Sequence, residues 1–282
     1  MTAPLVSRLT VVGLGLLGGS IARAARARRA AGEIVAVGRT PATLARARAA
    51  GVVDHCTADL AAGVRDAELV VLCAPVGVLP DLVRAAWPHL APGAILTDVG
   101  SVKAPVVAAA EACSPGAGAF LGGHPMAGSE RAGFDASQAD LFEGRLTLLT
   151  PTPRTAAPAI ARLTAFWEAL GSQTRLLSPE VHDRGVAAIS HLPHLAAYGL
   201  VAAADANALP LAAAGFQDTT RIAASPEALW TDIFRENREA LLAALAQYRR
   251  VLAEWEALIR QGDWDALEAA LARARERREK LA

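Results

Sequence analysis

Residues 9–23, LTVVGLGLLGGSIAR, contain the pattern that decides the fold. The apolar run 9–12 predicts a buried strand, a helix is predicted to begin near Leu16, and a second apolar strand follows at residues 33–37. The turn between the first strand and the helix has the spacing G-x-G-x-x-G, at Gly13, Gly15 and Gly18. Such a turn lets the backbone approach a pyrophosphate while the helix N-terminus points at its charge. The stretch therefore predicts a dinucleotide site, and the alternative is a tight turn that binds nothing.

The bulk composition favours two domains and a small ligand. A chain of 282 residues with 53% hydrophobic content is long enough to form two cores. Its 28 basic residues balance its 28 acidic ones, so no net charge attracts nucleic acid or an acidic membrane surface. We therefore expect a small-molecule substrate and neither a nucleic-acid nor a membrane partner.

The cysteines and the N-terminus bear on the cellular compartment. Cys56, Cys73 and Cys113 are scattered without metal-ligand spacing, and their odd number argues against a disulfide framework. We predict no metal site and a cytoplasmic location. An apolar N-terminal run followed by Ala-Arg-Ala resembles a signal peptide, but the arginines follow the run instead of preceding it, and glycines interrupt it.

Strand and helix patterns alternate through residues 1–177. After the first two strands, further strands are predicted at 66–74, 145–151 and 173–178, and 94–103 and 119–130 are each predicted to be a strand that ends in a loop. This alternation is typical of an α/β fold, and it predicts a Rossmann-like, doubly wound, mostly parallel sheet. Because ligands of such sheets bind beyond the carboxyl ends of the strands, the loops after the fourth and fifth strands should face the cofactor.

Residues 178–282 are predicted to form an all-α domain. Ser178-Pro179 begins a long apolar helix that contains Pro193. At about 100° per residue, Asp183, Ser190 and His194 share one face of this helix, and His191 points about 60° away. The shared face predicts a polar stripe for ligand binding.

The following helix carries a broad apolar stripe. Its members alternate in four- and three-residue steps: Leu241, Leu245, Tyr248, Leu252, Trp255 and Ile259, and the stripe is widened by Leu242, Val251 and Leu258. We expect a second copy of the chain to cover part of this stripe, which would make the protein a homodimer. The alternative is that the stripe forms the core of an intramolecular helix bundle.

Five segments together resemble the prephenate/arogenate dehydrogenases of tyrosine biosynthesis. They are GLGLLGGS (13–20), DVGSVK (98–103), GGHPMAGSE (122–130), HDRGVAAISHLPH (182–194) and GFQDTTRIAASPEALWTDIFREN (215–237). The resemblance implies a Rossmann domain followed by a helical dimerisation domain. It also implies oxidative decarboxylation of prephenate to 4-hydroxyphenylpyruvate, of arogenate to tyrosine, or of both.

The chemistry needs one base and one hydride acceptor. A neutral imidazole is suited to take the C4 hydroxyl proton of prephenate as hydride leaves C4, and His124 matches the family's catalytic histidine. Ser101 matches the family's serine that hydrogen-bonds the hydroxyl or the histidine, and alternatively it only caps the next helix. A structural loop histidine is the alternative for His124.

The resemblance also implies the residues that bind the substrate. Arg221 matches a carboxylate-binding arginine, for which a guanidinium fork is suited, although a surface salt bridge is the alternative. The other matched positions are His194, Ser129, Trp230, His182, Asp183 and, at the mouth of the pocket with the last two, Glu130. His191 is then structural, and Trp230 either packs in the core or serves the partner's pocket.

The predicted cofactor contacts surround the glycine turn and the strand ends. They are Gly13, Gly15, Leu16, Leu17, Gly18, Gly38, Arg39, Thr40, Ala74, Pro75 and Ser101. A NAD-selective fold normally ends its second strand with Asp or Glu, whereas this chain has Gly38, Arg39 and Thr40. That substitution favours NADP over NAD, unless Arg39 only stacks on the adenine ring.

The sequence leaves two questions open, namely the role of Lys103 and the class of enzyme. Lys103 is one of two lysines in the chain, and it either anchors its loop against a helix or acts as a catalytic lysine, as in the β-hydroxyacid dehydrogenases. That enzyme class is disfavoured because the interdomain helix lacks its lysine. A non-catalytic dimer that senses NAD(P) is the other alternative, although it would not need His124, Ser101 and Arg221 together.

Overall fold

The computed structural model describes residues 3–113, 118–128 and 131–281. Its first half contains a six-stranded sheet with the order β3-β2-β1-β4-β5-β6, in which every strand pair is parallel. The strands are β1 (Val6–Val12), β2 (Ala31–Val37), β3 (His55–Thr57), β4 (Leu69–Leu72), β5 (Ile95–Asp98) and β6 (Ala119–Phe120). The strand order reverses between β1 and β4, which is where such sheets bind their ligand. The predicted doubly wound Rossmann-like sheet is confirmed.

Two apolar cores lie on opposite faces of this sheet. Successive strand residues point to opposite faces, so Leu69 and Val71 belong to one core cluster while Val70 and Leu72 belong to the other. The helices of this half are α1 (Leu16–Ala27), α2 (Pro41–Ala49), α3 (Leu60–Val64), α4 (Leu79–Ala86), α5 (Ala104–Glu111) and α6 (Ala157–Ala169). Burial on both faces explains why the strands read as nearly continuous apolar runs.

The prediction of one strand followed by a loop within 119–130 is wrong, because the segment contains two strands. Its first part, β6, ends the large sheet, and β7 (Gly122–Pro125) begins a separate three-stranded sheet with β8 (Leu146–Thr150) and β9 (Gln173–Leu176). β7 and β8 are antiparallel, and β8 and β9 are parallel. A Cβ atom at Gly123 would lie 2.8 Å from the Asp98 carbonyl oxygen. Glycine therefore lets β7 pass close to the end of β5 and carries His124 to that point.

The second half is helical throughout the residues described. Its helices are α7 (Pro179–Val186), α8 (Leu192–Ala203), α9 (Ala214–Thr220), α10 (Glu227–Glu236), α11 (Arg238–Gln261) and α12 (Trp264–Glu279). The predicted start of α7 is confirmed, since the Ser178 hydroxyl accepts a hydrogen bond from the Val181 N–H at 3.2 Å. The predicted all-α second domain is confirmed as well.

A π-helical turn at Ala187–His191 joins α7 to α8, directly before Pro193. A π turn holds more residues than an α-helical turn, so the constant angle that placed His191 away from the polar stripe does not apply. His191 is buried, and the charges of Asp183, His182 and His194 all act on its pKa. The direction of His191 relative to the stripe stays a prediction.

The helix α11 leaves part of its apolar stripe exposed within one chain. Leu241 is buried and Leu245 is half-buried. Three large apolar side chains remain 42–53% exposed: Leu242, Leu252 and Ile259. Packing within one chain therefore covers Leu241 and Leu245, but it leaves Leu242, Leu252 and Ile259 exposed.

Candidate active site

The glycine turn between β1 and α1 has three different steric environments. A Cβ atom at Gly13, where φ is +96°, would lie 2.2 Å from the Cys73 carbonyl oxygen, and one at Gly18 would lie 1.9 Å from the Gly13 carbonyl oxygen. A Cβ at Gly15 would meet nothing within 4 Å. The first and third glycines therefore permit close packing, whereas the second keeps open space in front of the helix N-terminus, as pyrophosphate binding requires.

The N-terminus of α1 is suited to an anion. Gly15 occupies its N-cap position without a side-chain cap, and the first turn contains no acidic residue. Unpaired N–H groups and the helix dipole favour negative charge at such an end. The predicted neighbours Leu16, Leu17 and Ala74 are half-buried, and Pro75 is exposed. The geometry of the turn therefore fits a dinucleotide cofactor.

The end of β2 presents polar groups without an acidic side chain. Gly38 is half-buried, while Arg39 and Thr40 are exposed at the start of α2. Thr40 holds the N-cap position of α2, but its side chain makes no capping hydrogen bond. The Thr40 hydroxyl is therefore not used to cap α2.

A buried ion pair joins the end of β5 to β7. Asp98 and Lys103 are fully buried, and the Lys103 Nζ contacts Asp98 Oδ2 and donates to the Gly123 carbonyl oxygen at 2.7 Å. Burial lowers the pKa of Lys103, and the Asp98 carboxylate opposes that shift. The side chain of Lys103 therefore anchors its loop to strand β7 instead of to a helix, and this favours anchoring over a catalytic role.

His124 heads a chain of three hydrogen-bonded side chains. Its Nδ1 lies 2.9 Å from His182 Nε2, and His182 Nδ1 lies 2.7 Å from Asp183 Oδ1. The carboxylate of Asp183 accepts hydrogen bonds from the Lys103 and Ala104 backbone N–H groups, both at 2.8 Å. The prediction that His182 and Asp183 lie at the mouth of the pocket is wrong, because both are buried behind His124.

The surroundings of His124 keep its imidazole neutral. Burial lowers its pKa well below the ordinary value of 6.5, and the positive charges that His182 and Lys103 can carry act in the same direction. A neutral imidazole near pH 7 can accept a proton. His124 therefore has the protonation state that a general base needs.

His194 and Trp230 form a stacked pair near Arg221. Their ring centroids are 3.4 Å apart with an interplanar angle of 21°, and His194 Nδ1 lies 2.9 Å from the Ser190 carbonyl oxygen. Burial lowers the pKa of His194, and the nearby Arg221 charge lowers it further. Trp230 therefore packs against its own chain's histidine.

Arg221 is exposed, and no ion pair within the described ranges includes it. The alternative that it forms a surface salt bridge with another described residue is therefore wrong. Its guanidinium is left with donors that suit an incoming carboxylate.

The two predicted serines have different outcomes. Ser101 is half-buried in the loop after β5, but α5 has Lys103 at its N-cap position, and the Asp183 carboxylate receives the N–H groups there. The alternative that Ser101 caps α5 is therefore wrong. Ser129 and Glu130 lie outside the described residues.

Sequence reasoning missed two residues that support the site. Asp98 binds the backbone N–H groups of Gly100 and Gly123 as well as Lys103. Asn237 donates from its side-chain amide to the Asp183 carbonyl oxygen at 2.9 Å and lies 3.1 Å from His191 Nδ1. An acidic residue at the end of an apolar strand was the available signal for Asp98. Asn237 gave none, because its partners are 46 and 54 residues away.

In the part of the chain that is described, no group of three or more His, Cys, Asp or Glu side chains is arranged to hold a metal ion.

Comparisons with known proteins agree with this geometry. The family model "Prephenate dehydrogenase, nucleotide-binding domain" matches residues 21–176, and "Prephenate dehydrogenase, dimerization domain" matches residues 178–273. A cyclohexadienyl dehydrogenase from Zymomonas mobilis is 36% identical over 92% of this chain and 90% of its own length.

Two solved structures are similar over nearly the whole chain. Prephenate dehydrogenase from A. aeolicus, in complex with hydroxyphenyl propionate and NAD+, has a TM-score of 0.91 at 30% identity and covers 98% of each chain. Synechocystis arogenate dehydrogenase has a TM-score of 0.87 at 34% identity and covers 98% of this chain and all of its own. The chain therefore belongs to the prephenate dehydrogenase family and is a nicotinamide-linked oxidoreductase.

Proposed function

We propose that this chain oxidatively decarboxylates prephenate to 4-hydroxyphenylpyruvate in tyrosine biosynthesis, with hydride transfer to NADP or NAD. Arogenate, or both substrates, is the alternative. The observation that carries the proposal is the place of His124 beside the end of β5, where its Nδ1 lies 2.9 Å from His182 Nε2 and burial lowers its pKa. That position faces the edge of the sheet where the glycine turn also lies.

The proposed reaction moves one proton and one hydride. His124 takes the proton of the substrate C4 hydroxyl as hydride leaves C4, and the oxygen becomes a carbonyl. The bond to the ring carboxylate then breaks, carbon dioxide leaves, and the electron pair makes the ring aromatic. The resulting phenolate regains its proton from His124. When bound, the nicotinamide ring supplies the acceptor for the hydride.

The substrate carries two carboxylates, which need positive charge or aligned donors. Arg221 provides a planar guanidinium, and the adjacent stacked pair of His194 and Trp230 provides a wall with a ring nitrogen. We propose that these three residues bind the substrate, with Ser129 in the same pocket. Ser101, in the loop between β5 and α5, is proposed to contact the substrate hydroxyl and the nicotinamide.

The experiment that tests this function is a parallel initial-rate assay with prephenate and with arogenate, followed by the absorbance of the reduced nicotinamide. We expect turnover with prephenate, and a ratio of kcat/KM values above one for prephenate over arogenate. A ratio below one would reassign the substrate and leave the enzyme class intact. Absence of turnover with either substrate would contradict the proposed function.

We expect NADP to be preferred over NAD. Arg39 and Thr40 are exposed at the end of β2, where no carboxylate reserves the site for a ribose hydroxyl. The ratio of kcat/KM for NADP to that for NAD should exceed about 10, which corresponds to roughly 1.4 kcal/mol. Gly38→Asp combined with Arg39→Ile should reverse the preference. A wild-type ratio below one would show that Arg39 does not bind the 2′-phosphate.

We propose that the protein is a homodimer in which α11 contributes to the interface. The apolar run Pro179–Ala203 supports this, because it is only 22% buried within its most apolar window. Its length and mean hydropathy of 1.4 also meet the criteria for a membrane span, although a single such helix is weak evidence. Burial between two subunits would cover it without a membrane.

The dimer is tested by placing charge on the exposed stripe. Leu252→Asp with Ile259→Asp should convert the dimer to monomer or aggregate in sedimentation velocity and abolish activity, because desolvated carboxylates oppose association. Gln247→Asp with Arg250→Asp, on the opposite face of α11, is the control and should remain dimeric. A fully active wild-type monomer would contradict the proposal.

We place the domain boundary between residues 177 and 178, so that 1–177 bind the dinucleotide and 178–282 dimerise and complete the substrate site. The Ser178 cap at the start of α7 supports this position. A cytoplasmic location without nucleic-acid or membrane partners remains our proposal.

A further inference from the structure

We propose that His182 and Asp183 are positioning residues that fix the tautomer of His124, so that its proton lies on Nδ1 and its Nε2 lone pair is free to act as the base. The inference rests on the proposed function for its catalytic meaning. The tautomer itself can be measured without any substrate.

Asp183 is the end of this chain of hydrogen bonds, and its carboxylate is held in one orientation. Its Oδ1 accepts from the Lys103 N–H and its Oδ2 accepts from the Ala104 N–H, both at 2.8 Å. The backbone carbonyl of Asp183 also accepts from the Asn237 side chain at 2.9 Å. The carboxylate therefore cannot rotate without breaking its two hydrogen bonds to the N-terminus of α5.

The polarity of the chain follows from the donor inventory. An ionised carboxylate only accepts hydrogen bonds, so the 2.7 Å contact with Asp183 Oδ1 requires a proton on His182 Nδ1. A neutral His182 then has an unprotonated Nε2, which must accept from His124 Nδ1 across 2.9 Å. A neutral His124 with a proton on Nδ1 has its lone pair on Nε2.

The opposite polarity would require two protons on His182. Its side chain is fully buried, so a second proton would add a charge that water does not reach. Such a charge is costly to desolvate, and the Asp183 carboxylate that would have to balance it already accepts from the Lys103 and Ala104 N–H groups. A neutral His182, which donates to Asp183 and accepts from His124, is therefore favoured.

Lys103 holds both ends of this arrangement. Its backbone N–H binds Asp183, and its Nζ donates to the Gly123 carbonyl oxygen at 2.7 Å, one residue before His124. The distance between the base and the carboxylate is thereby set by a single residue with no exposed surface. This gives a structural reason for a lysine that is fully buried.

The test compares two substitutions of His182. Glutamine offers an amide oxygen that can still accept from His124 Nδ1, whereas leucine of similar size cannot. In protein labelled with ¹⁵N-histidine, the His124 ring signals, assigned by their loss in His124→Asn, should place the proton on Nδ1 in wild type and in His182→Gln. In His182→Leu both tautomers should appear.

The kinetic constants should separate an effect on the orientation of His124, which appears in kcat, from an effect on substrate binding, which appears in KM. At metal sites, loss of the group that orients a histidine ligand typically costs about 10- to 100-fold. We expect a comparable loss of kcat in His182→Leu, with KM changed less than about 3-fold. His182→Gln should retain kcat within about 5-fold. Thermal unfolding and cofactor titration identify any variant that fails to fold.

Each outcome decides one of the two proposals. A wild-type His124 protonated on Nε2 would overturn the positioning role, whatever the variants do. Equal kcat in His182→Leu and wild type would overturn it too. If wild type turns over neither prephenate nor arogenate while the tautomer is as expected, the proposed function fails and the hydrogen-bond chain stands.

Discussion

His124→Asn is expected to lower kcat by about 10²- to 10⁴-fold, the usual contribution of a positioned general base. The substitution removes the ring nitrogen that takes the substrate proton. Its amide can still donate to His182, so the hydrogen-bond chain behind it stays intact. Cofactor affinity, measured by titration of the variant, should barely change because no predicted contact of the glycine turn is altered.

The pH profile provides the control for this assignment. Protonated His124 cannot accept the substrate proton, so kcat should fall as the pH drops through its pKa. Burial holds that pKa well below the ordinary 6.5, and the acidic limb should therefore lie below that value in wild type and disappear in His124→Asn. Burial also lowers the pKa of His191, to about 4, and of His194, which is why the variant is needed. A variant that keeps more than about a third of wild-type kcat with the limb intact would contradict the role.

Arg221→Gln is expected to raise the KM for the substrate at least about 30-fold, with a smaller effect on kcat. The substitution leaves a substrate carboxylate without its charged partner, and removal of one member of a desolvated charge pair typically costs about 2–5 kcal/mol. Because a substrate carboxylate is present before and during the reaction, most of the loss should appear in KM.

Two further variants separate this effect from a general loss of charge. Arg221→Lys keeps the charge without the guanidinium fork, and its KM should lie between those of wild type and Arg221→Gln. Arg84→Gln removes an exposed arginine of the first domain that pairs with Asp81, and its KM should equal that of wild type. An unchanged KM in Arg221→Gln would place the arginine outside the substrate site.

The first domain was predictable because its signals are local. The run before Gly13, the spacing of the three glycines and the apolar strands each depend on neighbouring residues, and the observed sheet follows from them. The split of residues 119–130 between β6 and β7 was not predictable, because it depends on how closely Gly123 passes Asp98. Strand β3, three residues long, is too short for any periodicity.

The second domain shows where a regular helix is the wrong assumption. The π turn at Ala187–His191 changes the direction of every side chain after it relative to α7. The resemblance put His182 and Asp183 at the mouth of the pocket, whereas both are buried. Their burial, and the order in which they bind His124, depends on Lys103 and Ala104, about 80 residues earlier in the chain. Contacts between residues so far apart in the chain produce no periodic pattern in the sequence.

The most direct test of the proposed reaction is the stoichiometry of reduced nicotinamide and carbon dioxide formed from prephenate by the wild-type enzyme. Hydride loss from C4 and loss of the ring carboxylate belong to one reaction here, so we expect the two products in equal amounts, together with 4-hydroxyphenylpyruvate. An oxidoreductase that only oxidises the hydroxyl would form reduced nicotinamide without carbon dioxide. A sensor would form neither, and either of these results would contradict the account.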